Sequence, residues 1–328
     1  MGSIFPELSL DRTAVRWEEH LTEPTPWEFH QGVWFKREDH FAPLGLHGPN
    51  GSKMRQLIWM VNTFRPGANR IVTGASVQSP QLSMTAIVGA HFGLPVKEVV
   101  YSKPHTLMGH PNPAIAAGFG ATFEYAKGPY NPIIQARVDQ LVADEPSTTL
   151  LVEYGISLPI SKYTPENVLG FHSVGANQVW GMPEQVRRLI VPAGSCNTLT
   201  SILLGLIWAK GKHEIEELYT LGIGPDKRAW ALERLRYMGV DTDNLPFRWK
   251  HHSLHETGYS SYSDKFKGER FRGIDFHPTY EAKMWRYLRH HDPIPQDGST
   301  GLWIVGAEAR PEVVRPFYTR TETEETAA

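Results

Sequence analysis

The sequence of 328 residues contains a single cysteine, Cys196. An intramolecular disulfide framework is therefore excluded, and the chain reads as the product of a reducing, cytoplasmic compartment. No apolar run approaches the roughly 20 residues needed to span a bilayer. The opening Met1-Gly2-Ser3-Ile4-Phe5-Pro6 lacks the basic region and the apolar stretch of a signal peptide. Neither sign of charge is in excess. With a formal net charge of -2, nothing global pulls the protein toward nucleic acid or an anionic membrane. Also missing is a glycine-rich turn followed by Gly-Lys-Ser/Thr, which argues against nucleotide hydrolysis. No internal repeat is visible.

What is present is enough for a substantial core: 41% of residues are apolar and only 21% charged. Short apolar strands alternate with helical stretches, the pattern of βαβ units around parallel sheets. Strands are expected at Val33–Lys36, Arg70–Thr73, Val96–Tyr101, Ala121–Tyr125 and Thr149–Val152. A second series follows at Arg188–Val191, Leu218–Ile223, Phe247–Lys250 and Leu302–Val305. The two series predict an α/β fold of two domains. Residues 1–55 with 166–318 form the larger and 56–165 the smaller, and residues 1–29 read as irregular. Residues 251–272 lack periodicity and read as a mobile surface segment. The Thr/Glu-rich tail of residues 319–328 reads as disordered.

Four stretches at strand-to-helix turns carry the chemistry. In Asn50-Gly51-Ser52-Lys53-Met54-Arg55, Ser52 is expected to cap a helix whose apolar face is Met54, Leu57, Ile58 and Val61. Lys53 then lies in the first turn, near the positive end of the helix dipole, where a cation is electrostatically misplaced. The turn Gly194-Ser195-Cys196-Asn197-Thr198 places small and hydroxyl residues at a helix N-terminus, which suits a phosphate. Ser79-Pro80-Gln81 occupies a similar turn and by itself is an ordinary N-cap. Pro278-Thr279-Tyr280-Glu281 opens a further helix, and a glutamate there is ordinarily dipole compensation.

Taken together and in this order, these stretches resemble the pyridoxal-phosphate enzymes of the tryptophan-synthase-β fold (fold type II). The resemblance is nearest to the 1-aminocyclopropane-1-carboxylate deaminase and D-cysteine desulfhydrase branch. Pro24-Thr25-Pro26 and Phe35-Lys36-Arg37-Glu38-Asp39 are similar to that branch's opening. Gly51-Ser52-Lys53-Met54-Arg55 is similar to Gly-Asn-Lys-x-Arg, and Val77-Gln78-Ser79-Pro80-Gln81 to Val-Gln-Ser-Asn-His/Gln. Gly194–Thr198 resembles Gly-Ser-Gly-Gly-Thr, and Pro278–Lys283 resembles Pro-Val-Tyr-Glu/Ser/Thr-Gly-Lys.

The resemblance implies two domains, each with a mainly parallel twisted sheet flanked by helices, and pyridoxal 5'-phosphate as cofactor. It implies that Lys53 holds the cofactor as a Schiff base and moves the substrate proton. Gly194, Ser195, Cys196, Asn197 and Thr198 would hold the cofactor phosphate, and Glu281 would face the pyridine nitrogen. Tyr280 and a second tyrosine, Tyr259 or else Tyr262, would act beside the substrate. Ser79 and Gln81 would bind the substrate carboxylate. The implied activity is that of a lyase or deaminase: α-proton abstraction from an amino acid, then β-elimination or ring opening. A homodimer is the family's common assembly.

Departures from the family pattern are specific. Pro80 stands for an asparagine, Cys196 and Asn197 for two glycines, and His277 for an aspartate; the terminal His-Thr-Gly-Gly is replaced by Val305-Gly306-Ala307-Glu308. Asn197 is expected to need a positive φ. The altered carboxylate region favours an alternative in which the amino acid is attached to a larger molecule, such as a modified DNA base. Lys250, His251, His252, Lys265, Lys267, Arg270 and Arg272 would then face the nucleic acid. An inactive binding protein is a further alternative, against which Lys53, Tyr280 and Glu281 together argue. No metal site is expected, because His251, His252 and His255 have zinc-like spacing but sit in a loop without a nearby cysteine.

Overall fold

A computed structural model describes residues 15–318; the tail at 319–328 lies outside the described residues. The chain opens with a hairpin, β1 (Trp27–His30) and β2 (Val33–Arg37), so part of the stretch expected to be irregular is a strand. Helix α1 (Ser52–Phe64) follows, then β3 (Arg70–Gly74), α2 (Pro80–His91) and β4 (Val96–Val100). Two short helices, α3 (Pro104–Leu107) and α4 (Pro111–Gly118), lead to β5 (Thr122–Tyr125), α5 (Asn131–Asp144) and β6 (Thr149–Val152). The second series runs α6 (Pro165–Ala176), β7 (Arg188–Ala193), α7 (Asn197–Trp208), β8 (Glu217–Gly222) and α8 (Arg228–Tyr237). Then come β9 (Arg248–Ser253), the two-residue strands β10 (Arg270–Phe271) and β11 (Ile274–Asp275), α9 (Glu281–His291), β12 (Thr300–Ile304) and α10 (Pro311–Val314).

Two sheets organise these elements. One has the order β1-β2-β12-β7-β8-β9 and is parallel apart from the β1–β2 hairpin; the other, β5-β4-β3-β6, is wholly parallel. Parallel strands covered on both faces read as continuous apolar runs. Leu189, Ile190 and Val191 in β7 and all six residues of β8 are buried accordingly.

Helix α1 buries more than the expected stripe. Besides Met54, Leu57, Ile58 and Val61 it buries Arg55, Gln56 and Met60. It packs against α2 and α6, and Gln56 Nε2 donates to Ser201 Oγ of α7 at 3.1 Å. Among the described residues no helix is long and apolar enough to cross a membrane.

The segment expected to be loop from residue 251 begins inside β9. Alternation along that strand separates its histidines. His251 Nδ1 meets Thr220 Oγ1 at 2.9 Å, whereas His252 stacks on Tyr287 with centroids 4.6 Å apart. Among the described residues no three His, Cys, Asp or Glu side chains are grouped for a metal ion.

Candidate active site

In open α/β sheets ligands gather at the carboxyl ends of the strands, and here those ends converge. Parallel register sets Ala193 of β7 beside Gly222 of β8 and aligns the end of β12 with that of β2. The loops that follow carry Gly194–Cys196, Lys227, Val305 and, after β2, Lys53. They form a cavity lined by Lys53, Gly194, Ser195, Cys196, Thr198 and Tyr280, together with Pro80 and His277.

Helix α1 starts at Ser52, with Gly51 as its cap residue at φ +88. A side chain at Gly51 would put its Cβ 2.2 Å from Val305 O, so only glycine admits this approach. Ser52 therefore does not cap the helix: its hydroxyl donates to buried Glu38 at 2.9 Å. Lys53 does fall in the first turn. Burial, and then the ammonium of Lys227, push its pKa down to about 8, which raises the share of free amine.

One residue, Val305, joins this turn to the start of α9. The Val305 carbonyl accepts from Ser52 N–H at 3.3 Å, and the Val305 N–H donates to Glu281 Oε1 at 2.7 Å. Glu281 is fully buried, and its Oε2 has no hydrogen-bond partner among the described residues. Burial raises this carboxyl to about 8. It is a proton-holding group beside the cavity wall.

At the second turn the left-handed residue is Cys196, φ +67, and not Asn197. Asn197 instead sends its side chain away from the cavity, donating to Gly155 O and Ile156 O at 3.1 Å each. Burial drives the Cys196 thiol up to about 12, so it is a neutral packing group. The first amides of α7 have no acceptor within the helix, and Ser195 and Thr198 line the cavity beside them.

No family model matches the chain. The chain is 34% identical, over an alignment of 370 residues, to the O-seryl-dTMP PLP-dependent decarboxylase of Salmonella phage ViI. The match covers 93% of this chain and 87% of that protein. It belongs to the fold type II pyridoxal-phosphate enzymes. Solved structures of that fold superpose along most of its length. A 1-aminocyclopropane-1-carboxylate deaminase homologue gives a TM-score of 0.67 at 17% identity, covering 86% of this chain and 89% of its own. O-acetylserine sulfhydrylase isoform 3 from Entamoeba histolytica gives 0.59 at 16%, covering 98% and 96%. Serine racemase from Dictyostelium discoideum gives 0.55 at 12%, covering 92% and 99%.

Within this pyridoxal-phosphate enzyme several expected site residues sit elsewhere. Gln81 is buried and fully engaged: Nε2 donates to Thr73 Oγ1 at 2.7 Å and Glu153 O at 3.1 Å, and Oε1 accepts from Gly155 N–H at 2.7 Å. It pins two strand ends together and has no capacity left for a substrate carboxylate. Ser79, by contrast, caps α2 by accepting from Gln81 N–H and lines the adjoining cavity with Pro80, His277 and Tyr280. Tyr259 packs edge-on against Tyr287 and His291, at 5.3 and 5.7 Å. The second tyrosine beside the cavity is Tyr262, whose hydroxyl lies 2.8 Å from that of Tyr280. Burial raises both phenols above their ordinary range, so they stay protonated at neutral pH.

Two site residues were not foreseen. His277 borders the cavity; burial, then Lys265, Lys53 and Lys283, hold it down to about 3, a neutral ring. Lys283 donates to Ser261 O at 2.7 Å and Tyr262 O at 3.2 Å and so fixes the Tyr262 segment. The lysine stands at the end of the Pro278–Lys283 motif, which was the available signal.

Proposed function

We propose that this enzyme removes the carboxylate of an amino acid carried on a larger molecule, a seryl-bearing thymidine nucleotide. The donor set fits the cofactor. Lys53 offers an amine of lowered pKa, the α7 turn offers amides and hydroxyls for a phosphate, and the orphan Oε2 of buried Glu281 offers a partner for a ring nitrogen. Gly194 completes the cradle, because a Cβ there would lie 3.1 Å from the Tyr280 ring. When bound, pyridoxal phosphate takes up the electron pair left on the substrate α-carbon, the more readily the more its ring nitrogen is protonated.

The observation that carries decarboxylation is the state of the Ser79-Pro80-Gln81 turn. Pro80 borders the cavity with no N–H to donate, and the amide of Gln81 is used inside the protein. From this turn a substrate carboxylate meets the Ser79 hydroxyl as its side-chain donor, and a sparsely solvated carboxylate loses less on becoming neutral CO2. The bond from the α-carbon to the carboxylate breaks, CO2 leaves, and the α-carbon takes up one proton. Lys53 Nζ and the Tyr280–Tyr262 hydroxyl pair are the donors in reach of the cavity. Glu281 keeps its proton available at Oε2, where it favours the protonated ring nitrogen. The relative that acts on O-seryl-dTMP supports the same reading of the substrate.

Incubation of the cofactor-loaded protein with O-seryl-dTMP tests this. CO2 release with the amine retained on the nucleotide is expected. A 2-oxo acid and ammonium would assign elimination and deamination instead.

A further inference from the structure

Beyond the cofactor cavity lies a second one, of about 310 Å³, that shares Pro80, His277 and Tyr280 with it. That is at the lower end of the roughly 300–1,000 Å³ typical of small-molecule sites. We infer that this second cavity is the nucleotide subsite: Tyr154 and Tyr262 receive the pyrimidine ring, Gln78 and Asn131 its polar edge, and Lys265 the 5'-phosphate. The inference rests on the proposed seryl-nucleotide substrate.

Four features carry it. Tyr154 and Tyr262 are 40% and 46% exposed and line one cavity from different segments. Large rings left open to solvent at a concave site offer stacking surface for a base. Tyr262 is held in place, through its hydroxyl by Tyr280 and through its carbonyl by Lys283, so little order is lost when a ring docks. The side-chain amides of Gln78 and Asn131 line the same cavity and form no hydrogen bond among the described residues. Each offers a donor and an acceptor, which suits the alternating acceptor–donor–acceptor edge of an imide base. Among the described residues the ion pair of Lys265 is a 3.7 Å surface contact with Glu308, worth little, so its ammonium is available to a phosphate. The order of these groups also matches the substrate. The shared wall of Pro80 and Tyr280 would take the amino-acid portion, and the far side the nucleotide.

The test is a calorimetric titration of the cofactor-loaded full chain with dTMP and with thymidine. Wild type is expected to bind dTMP more tightly than thymidine. Lys265→Ala should erase that difference, and Tyr154→Ala should weaken both ligands on the order of tenfold. Both substitutions are at exposed side chains, and unchanged cofactor absorbance reports intact folding and loading. Affinities for dTMP and thymidine that neither substitution alters would overturn the subsite. If the wild type releases CO2 from O-seryl-dTMP while this pattern is absent, the subsite alone falls. If the pattern holds without CO2 release, the proposed reaction falls and the subsite stands. A single-stranded oligonucleotide containing one thymidine separates the two sources of the ligand. Competition with dTMP places the substrate in a DNA strand, and failure to compete places it in the free nucleotide.

Discussion

Lys53 can form a covalent link to an aldehyde only as the free amine. Burial and Lys227 hold its pKa at about 8 instead of 10.5, so cofactor loading should speed up as pH rises through 8 and slow below it. Lys227→Ala removes the opposing charge, and the loading curve should move to higher pH; stopped-flow absorbance over a pH series reads the shift. Lys53→Ala should abolish the covalent cofactor absorbance. Glu281 gives a second pH signature. Its folded pKa is raised from 4.5 to about 8, so the folded chain holds a proton that the unfolded chain releases in that window. Stability of the cofactor-free protein should therefore fall as pH rises from about 4.5 to about 8. Glu281→Gln should flatten that slope in thermal melts and lower turnover on the order of 10²-fold, since an amide holds no proton to share. The positions of Lys53, Gly194, Ser195, Thr198, Tyr280 and Glu281 at strand-to-helix turns were legible in the sequence, because such turns are short and local; the roles assigned to them came from the family resemblance. Gln81 was misread because its partners Thr73 and Gly155 are set by sheet geometry. Tyr259 and Tyr262 could not be separated by spacing in an aperiodic segment; in the fold it is Tyr262 whose hydroxyl meets that of Tyr280.

At the scale of elements, α1 is fastened at its N-terminus by a buried charge network. Glu38 accepts from Thr25 at 2.5 Å, Ser52 at 2.9 Å and Arg55 at 3.3 Å, while Arg55 lies over Phe41 at 3.9 Å. The Phe35–Asp39 stretch, visible in the sequence only as a motif, is thus the anchor of the Lys53 turn. Glu38→Ala would leave the buried guanidinium of Arg55 without its carboxylate and should cost about 3–5 kcal/mol, measured by urea unfolding. The strand–helix order of this fold was readable from apolar runs bounded by turn residues. The β1 strand was not, because Trp27–His30 is only partly buried and alternates weakly.

For the whole molecule, charge sets a limit on how a polymer would be held. A net charge of -2 gives no general attraction to DNA, so any strand must be gripped locally near Lys265, Lys267 and Arg270. With about three phosphates engaged, log K for a single-stranded oligonucleotide should fall with log salt at a slope of about -2, since each contact contributes about -0.7 on single strands. Titrations at several salt concentrations measure it, and a much steeper slope would mean a broader basic surface than this chain has. The seryl-nucleotide reading thus asks for recognition by fit within a cavity, with long-range steering contributing little.

The turn at residues 79–81 divides its labour by position. Gln81 faces inward and welds the ends of β3 and β6, while Pro80 faces the two cavities. Fastening and contact are thus assigned to adjacent side chains of one helical turn. A lineage can exchange the residue at position 80, and with it the group it welcomes, while the weld at 81 keeps the backbone where it is. Innovation in substrate is thereby uncoupled from risk to the fold.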